Sequence, residues 1–179
     1  MTELILERTF DPAFTPGEVV ELAADSADCF GMHRVAWEAS YLSADGHKMV
    51  CHFHAPDMES VRIALRQIGS DLSVFWKGSV HDAPGIDASE IGKANVLVER
   101  SFDGGVVLQD IQDIEDAGIR CLEIRHVRFL RTFFSTDRKR MICLYEAPDA
   151  ESVRQAQREA GVPFDEAWAF SRYGPENLS

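Results

Sequence analysis

The sequence predicts an α+β protein: two ferredoxin-like (βαββαβ) repeats, with the two sheets packed face to face as an intrachain pseudo-dimeric α+β barrel. Three observations carry this. The chain repeats itself at a shift of 92 positions. Each copy runs through the same order of strand-like and helix-like apolar patterns. A stretch rich in breakers separates the copies.

The repeat sets Glu7-Arg8-Thr9-Phe10-Asp11 on Glu99-Arg100-Ser101-Phe102-Asp103 and Lys48-Met49-Val50-Cys51 on Arg140-Met141-Ile142-Cys143. Ala55-Pro56-Asp57 with Glu59-Ser60-Val61-Arg62 falls on Ala147-Pro148-Asp149 with Glu151-Ser152-Val153-Arg154. The register continues without a gap to Gly69/Gly161 and Trp76/Trp168. Roughly 22 identities over about 78 positions in constant register point to one supersecondary unit used twice, a tandem duplication.

In the first copy Leu4 to Phe10 reads as a strand. Thr15-Pro16-Gly17-Glu18 then supplies a capping hydroxyl, a proline for the first helical position and an acid for a capping box. Val19, Leu22, Ser26, Cys29 and Phe30 follow at helical spacing, as do Ile111, Ile114, Gly118, Cys121 and Leu122. Arg34 to Leu42 and Lys48 to His54 read as strands around Asp45-Gly46, a type I′ hairpin signal that pairs Leu42 with Met49. The second copy carries Asp137-Arg138 there, so a different turn is expected. Asp57 caps a helix with Val61, Ala64, Leu65 and Ile68 on one stripe, closed by Gly69. A last strand is expected from about Leu72 to Val80. That order is the split βαβ unit, with both helices on one face of an antiparallel sheet. Two bare sheet faces are covered by packing on each other. The domains are therefore expected at 1–82 and 95–179, the latter with a short tail, joined by a linker at 83–94.

The 179 residues, 45% apolar and 27% charged, suffice for a core and argue against a disordered chain. Eighteen Lys and Arg against 30 Asp and Glu give a net charge of −12, a field that repels phosphate backbones and anionic membranes. Nucleic acid and membrane are not expected partners. The N-terminus lacks a basic-then-apolar signal stretch, which reads as cytoplasmic. Cys29, Cys51, Cys121 and Cys143 form no C-x-x-C pair and read as buried free thiols. Phosphate-binding glycine loops, H-E-x-x-H and a Ser/His/Asp order are missing, which argues against P-loop enzymes and zinc proteases.

Val98-Glu99-Arg100-Ser101-Phe102, Ser40-Tyr41-Leu42-Ser43-Ala44-Asp45 and Cys143-Leu144-Tyr145-Glu146-Ala147-Pro148 resemble motifs of the domain-of-unknown-function family 4242. Members of that family are often called nickel-binding-protein-like. The resemblance covers nearly the whole chain as two copies. It implies the ferredoxin-like fold and suggests metal binding, with nickel or another divalent transition metal as cofactor. It brings no established reaction. Its pattern has a histidine just before Ser-Tyr, where this chain has Ala39 and, in the second copy, Arg131.

Strand alternation from the Leu42/Met49 pair places Trp37, Ala39 and Tyr41 on one face with Val50, His52 and His54. Met49, Cys51 and Phe53, matched by Met141, Cys143 and Tyr145, face the helices. His52 and His54 then look into the barrel, and Glu146 approaching across it completes a two-His-one-carboxylate set for nickel, zinc or iron. Trp37, Tyr41, Phe129, Arg131 and Phe133 are expected to line the cavity, with Arg131 and Glu146 alternatively a simple salt bridge. One member of each Glu-Arg pair faces the barrel, so Glu7 and Glu99 are candidate acid/base groups or ion-pair partners. The expected function is binding of a metal ion or small molecule in the barrel. The rival readings are a cofactor-free monooxygenase- or isomerase-like enzyme and an interaction module with a filled barrel. A homo-oligomer is compatible with either.

Overall fold

The computed structural model describes residues 1–72 and 74–178. The first strand, β1 (Thr2–Thr9), leads to α1 (Pro16–Met32), then β2 (Ala36–Ser43), β3 (Lys48–Ala55), α2 (Met58–Gln67) and β4 (Val74–Asp82). A four-residue helix, α3 (Ala88–Ile91), follows, capped by Asp87. The second half runs β5 (Val96–Ser101), α4 (Leu108–Ala117), α5 (Ile119–Glu123), β6 (Arg128–Ser135), β7 (Arg140–Glu146), α6 (Ala150–Ala160) and β8 (Glu166–Tyr173), ending in a short 3-10 turn. The expected start of β4 near Leu72 passes through Ser73, which lies outside the described residues. No described helix is long and apolar enough to cross a membrane.

β1 pairs antiparallel with β3 and β4, and β2 with β3; β5 pairs with β7 and β8, and β6 with β7, in the same pattern. The registers agree residue for residue at the 92-position shift. Leu4 opposes Phe53 as Val96 opposes Tyr145, and Ile5 opposes Trp76 as Leu97 opposes Trp168. Hydrogen-bonded neighbours follow the order β4-β1-β3-β2 in the first half and β8-β5-β7-β6 in the second, the antiparallel sheet of the expected α+β class. Two compact units are present: residues Met1–Gly78 with Ser171–Ser179, and residues Ser79–Phe170.

Each unit has its own core between helices and sheet. In the first, Leu4, Leu6, Leu42, Met49, Cys51 and Phe53 meet Val19, Phe30, Val61 and Leu65. In the second, Val96, Val98, Met141, Cys143 and Tyr145 meet Ile111, Leu122 and Val153. Every fully buried Leu or Phe contributes about 1.5–3 kcal/mol, so these clusters dominate what holds each sheet to its helices.

The caps are as expected. Thr15 accepts from the Glu18 amide at 3.2 Å while Glu18 accepts from the Thr15 amide at 2.7 Å, the reciprocal pair that starts α1. Asp57 and Asp149 cap α2 and α6 by accepting from the Ser60 and Ser152 amides, which holds both carboxyls below their usual range.

Two expectations need correction. The hairpin is not type I′: Gly46 has φ 77° and Asp45 is not left-handed. Asp45 instead accepts from Ser43 Oγ and the His47 amide, closing a four-residue loop. The second copy builds the same loop. Asp137 accepts from Ser135 Oγ and the Lys139 amide, and Arg138 takes the left-handed conformation at φ 63° in the glycine's place. The Asp side chain, common to both, sets the turn.

The second correction concerns the counterpart of α1, which is broken at Gly118 into α4 and α5. A Cβ there would stand 2.4 Å from that of Ala160, so the close approach to α6 requires glycine at the break.

Candidate functional site

On β1, alternation sends Leu4, Leu6 and Arg8 toward the helices and Glu3, Ile5 and Glu7 to the other face. β3 lies beside it with Glu3 opposite His54 and Ile5 opposite His52. Glu3 therefore reaches both imidazoles. His52 Nε2 donates to Glu3 Oε2 at 2.5 Å, and His54 Nε2 lies 3.9 Å from Glu3 Oε1. The His52 side chain is only 7% exposed, whereas Glu3 and His54 keep about a third of theirs in solvent, 33% and 36%. The cluster is thus anchored on one side and open on the other.

Glu3 was not among the residues expected here. The available signal was topological: in the split βαβ order β1 sits beside β3, and the same alternation that turns Glu7 away from the helices turns Glu3 with it. Glu146, the expected carboxylate, instead holds Arg128 at 3.1 Å. Arg131 does not serve Glu146 either. Its Nε donates to Asp82 Oδ1 at 2.6 Å and its Nη2 to Oδ2 at 3.0 Å, with the guanidinium 6.0 Å from the Phe133 ring. Phe133 and Tyr41 are buried, opposite Ile142 and Val50.

Glu7 and Glu99 occupy counterpart positions and do the same thing. Trp76 Nε1 donates to Glu7 Oε2 at 2.9 Å and Trp168 Nε1 to Glu99 Oε2 at 2.8 Å. Glu99 also takes Arg140 Nη2 on its other oxygen at 2.7 Å. A carboxylate so occupied is an anchor between strands, which favours the ion-pair reading for Glu99.

Trp37 and Phe129 lie on the helix side, not on the face of His52 and Arg131. The reason is a β-bulge in each unit. Trp37 opposes Phe53 but Ala39 opposes His52, so Glu38 is extra; Phe129 opposes Tyr145 but Arg131 opposes Leu144, so Leu130 is extra. One inserted residue reverses the facing of everything before it. Trp37 Nε1 then donates to Ser40 Oγ at 2.9 Å, and Ser40 Oγ to Cys51 Sγ at 3.0 Å, inside the core. Phe129 packs edge-on against Tyr145, 5.7 Å between centroids.

The helix side of the second unit holds a buried polar network that was not anticipated. Arg100, 1% exposed, donates to Pro163 O at 2.7 Å and to Tyr145 Oη and Gln157 Oε1 at 2.8 Å each. Tyr145 in turn donates to Glu115 Oε2 at 2.6 Å, and Arg100 Nη2 stands 3.8 Å from the same oxygen. Burial, with Glu115 beside it, pushes the Tyr145 phenol well above its usual range. Cys51 and Cys143 are buried on the helix side as expected, and burial raises both thiols.

Among the described residues no three His, Cys, Asp or Glu side chains converge as a ready ligand set. Glu3, His52 and His54 come nearest in donor chemistry: two imidazoles and a carboxylate suit nickel, zinc or ferrous iron. As they stand, His52 Nε2 is given to Glu3, so a bound ion would take the place of the shared proton.

No curated protein matches the chain in sequence. The solved structure of SCO4226 from Streptomyces coelicolor A3(2) is 22% identical, covering 41% of this chain and 91% of its own, with a TM-score of 0.37. A chlorite dismutase variant from Candidatus Nitrospira defluvii is 14% identical over 98% of this chain and 92% of its own, with a TM-score of 0.53. TA0507, described as a candidate chlorite dismutase, gives 0.55 at 10% identity over 99% and 96%. At these identities the two dismutase-type structures show a shared fold. The model of the nickel responsive SCO4226-like proteins matches residues 5–73 and again residues 97–169, one segment in each half of the chain. The chain belongs to the SCO4226-like family of nickel responsive proteins.

Proposed function

We propose that this chain is a duplicated divalent-metal binder that takes nickel once per molecule, at Glu3, His52 and His54. The observation that carries the reading is the single carboxylate standing against two imidazoles on one sheet face. The family's nickel responsiveness supports the choice of ion. The counterparts of His52 and His54 are Leu144 and Glu146, which supply no imidazole, so the duplication has kept one donor set and let the other go.

Nickel there would be held by two borderline nitrogen donors and one hard oxygen. The chain's own residues do the rest. Glu3 orients the His52 ring through Nε2 and would give up that hydrogen bond on loading, the neutral ring then carrying its proton on Nδ1. Ile5, opposite His52 and Trp76, excludes water from one side of the ring. Binding needs neutral imidazoles, so affinity falls as the pH drops and the rings take up protons.

Equilibrium dialysis with nickel(II) tests this directly. One ion per chain is expected, with His52→Ala and Glu3→Gln each weakening binding at least tenfold and His33→Ala leaving it alone. Two equivalent ions per chain, or binding unchanged in a protein carrying both His52→Ala and His54→Ala, would overturn the assignment.

A further inference from the structure

We propose that the helix side of the first unit is a binding site for an aliphatic carboxylate, held by Arg8. An open-sided pocket with about 30 Å³ of room lies there between α1, α2 and the sheet, walled by Val19, Phe30, Trp37, Met49, Phe53 and Leu65. Among the described residues that line it, Arg8 is the only cation. Its guanidinium has one polar or ring contact among the described residues, the face of Phe10 at 5.0 Å. A half-buried cation on an apolar wall with no carboxylate of its own is a place for an external anion.

The second unit shows what such a cation takes when the chain supplies it. Arg100, the counterpart of Arg8, is met by Glu115, Tyr145 and Gln157, and the pocket beside it shrinks to about 10 Å³. The residues at those positions in the first unit are Ala23, Phe53 and Leu65. All three polar partners are replaced by apolar ones while the arginine stays. Ala23 lines the pocket and leaves free the volume that the Glu115 side chain fills, so a ligand carboxylate there would meet Arg8 as Glu115 meets Arg100.

About 30 Å³ holds roughly two water-sized groups, which the carboxylate itself takes, so the aliphatic carbons lie along the open, apolar side. The site is independent of the metal reading, because Arg8 faces the helices and His52 and His54 face away from them.

The experiment is an NMR titration of chelator-treated protein with butyrate and hexanoate, and with butyramide as the neutral analogue. The expected result is saturable shifts at one site per chain for both acids, at least tenfold weaker for butyramide. Arg8→Gln should remove the preference for the acid over the amide. Ala23→Glu, which plants an internal carboxylate opposite Arg8, should abolish acid binding, with circular dichroism confirming the fold. No saturable shift at 10 mM, or equal binding of acid and amide by the native protein, would overturn the proposal whether or not either variant folds. Loss of nickel binding would leave it untouched.

Discussion

Arg8 and Arg100 stand at the same point of the same strand in two units with the same register, yet one is nearly unpartnered and the other is enclosed by four acceptors. The difference is not in the backbone. It comes from three helix and strand positions where Ala23, Phe53 and Leu65 face Glu115, Tyr145 and Gln157. The opposite sheet face diverges as well: Glu3, His52 and His54 in the first unit correspond to Asn95, Leu144 and Glu146 in the second. The first unit thus keeps an open pocket on its helix side and the His52–Glu3 pair on its other face, while the second closes its helix side with the Arg100 network.

The largest expected effect comes from breaking the enclosed arginine. Glu115→Ala strips the carboxylate from a buried guanidinium and should cost about 3–5 kcal/mol in denaturant unfolding, as removal of one partner from a buried pair does. Arg8→Ala should cost under about 1 kcal/mol, because nothing buried depends on it. Equal losses for the two would mean that the units are alike in energy despite their different residues.

Next in size is the broken helix. Gly118→Ala forces a methyl against Ala160 and should destabilise by about 1–3 kcal/mol through overpacking. Ser26→Ala, at the counterpart in unbroken α1, loses only a hydroxyl bond to Leu22 O and should cost about 1 kcal/mol or less. A harmless Gly118→Ala would show that α6 can withdraw, and that the break has another cause.

Much of the fold is legible in the amino-acid sequence. Period-two alternation and the constant shift fixed which residues pair, and Thr15, Asp57 and Glu18 cap because their oxygens sit where amides lack partners. The bulges at Glu38 and Leu130 were not legible, since Trp37-Glu38-Ala39-Ser40 alternates acceptably in either register and only the surrounding packing chooses. They misplaced Trp37 and Phe129. Glu3 was missed because a carboxylate at a strand start carries no local signal; it becomes a site residue only when the neighbouring strand is known. The Arg100 network was hidden for a similar reason, as its members lie on β5, α4, β7 and α6 and meet only in three dimensions.

A smaller effect separates the first helices. Thr15→Ala removes the capping hydroxyl of α1 and should cost about 1 kcal/mol. α4 begins at Val107 with no side-chain cap, so Val107→Thr should recover a few tenths to about 1 kcal/mol. Thermal unfolding of the two variants should move in opposite directions.

The smallest effect is a pH dependence that both units share. The His47 amide first, and then Ser43 Oγ, hold the Asp45 carboxyl below its usual range, while Ser135 Oγ and then the Lys139 amide do the same for Asp137. A carboxyl with a lowered folded pKa stabilises the fold above its unfolded value, near pH 4, and that contribution is lost as the pH falls through the folded value. Both groups are nearly fully solvated, so screening keeps the effect slight. Stability measured from pH 5 downward should therefore fall less steeply in Asp45→Asn and in Asp137→Asn than in the parent, by similar amounts. Because Arg138 occupies the left-handed position that Gly46 holds in the first unit, a flattened profile in only one of the two would show that glycine, not the aspartate, sets that turn.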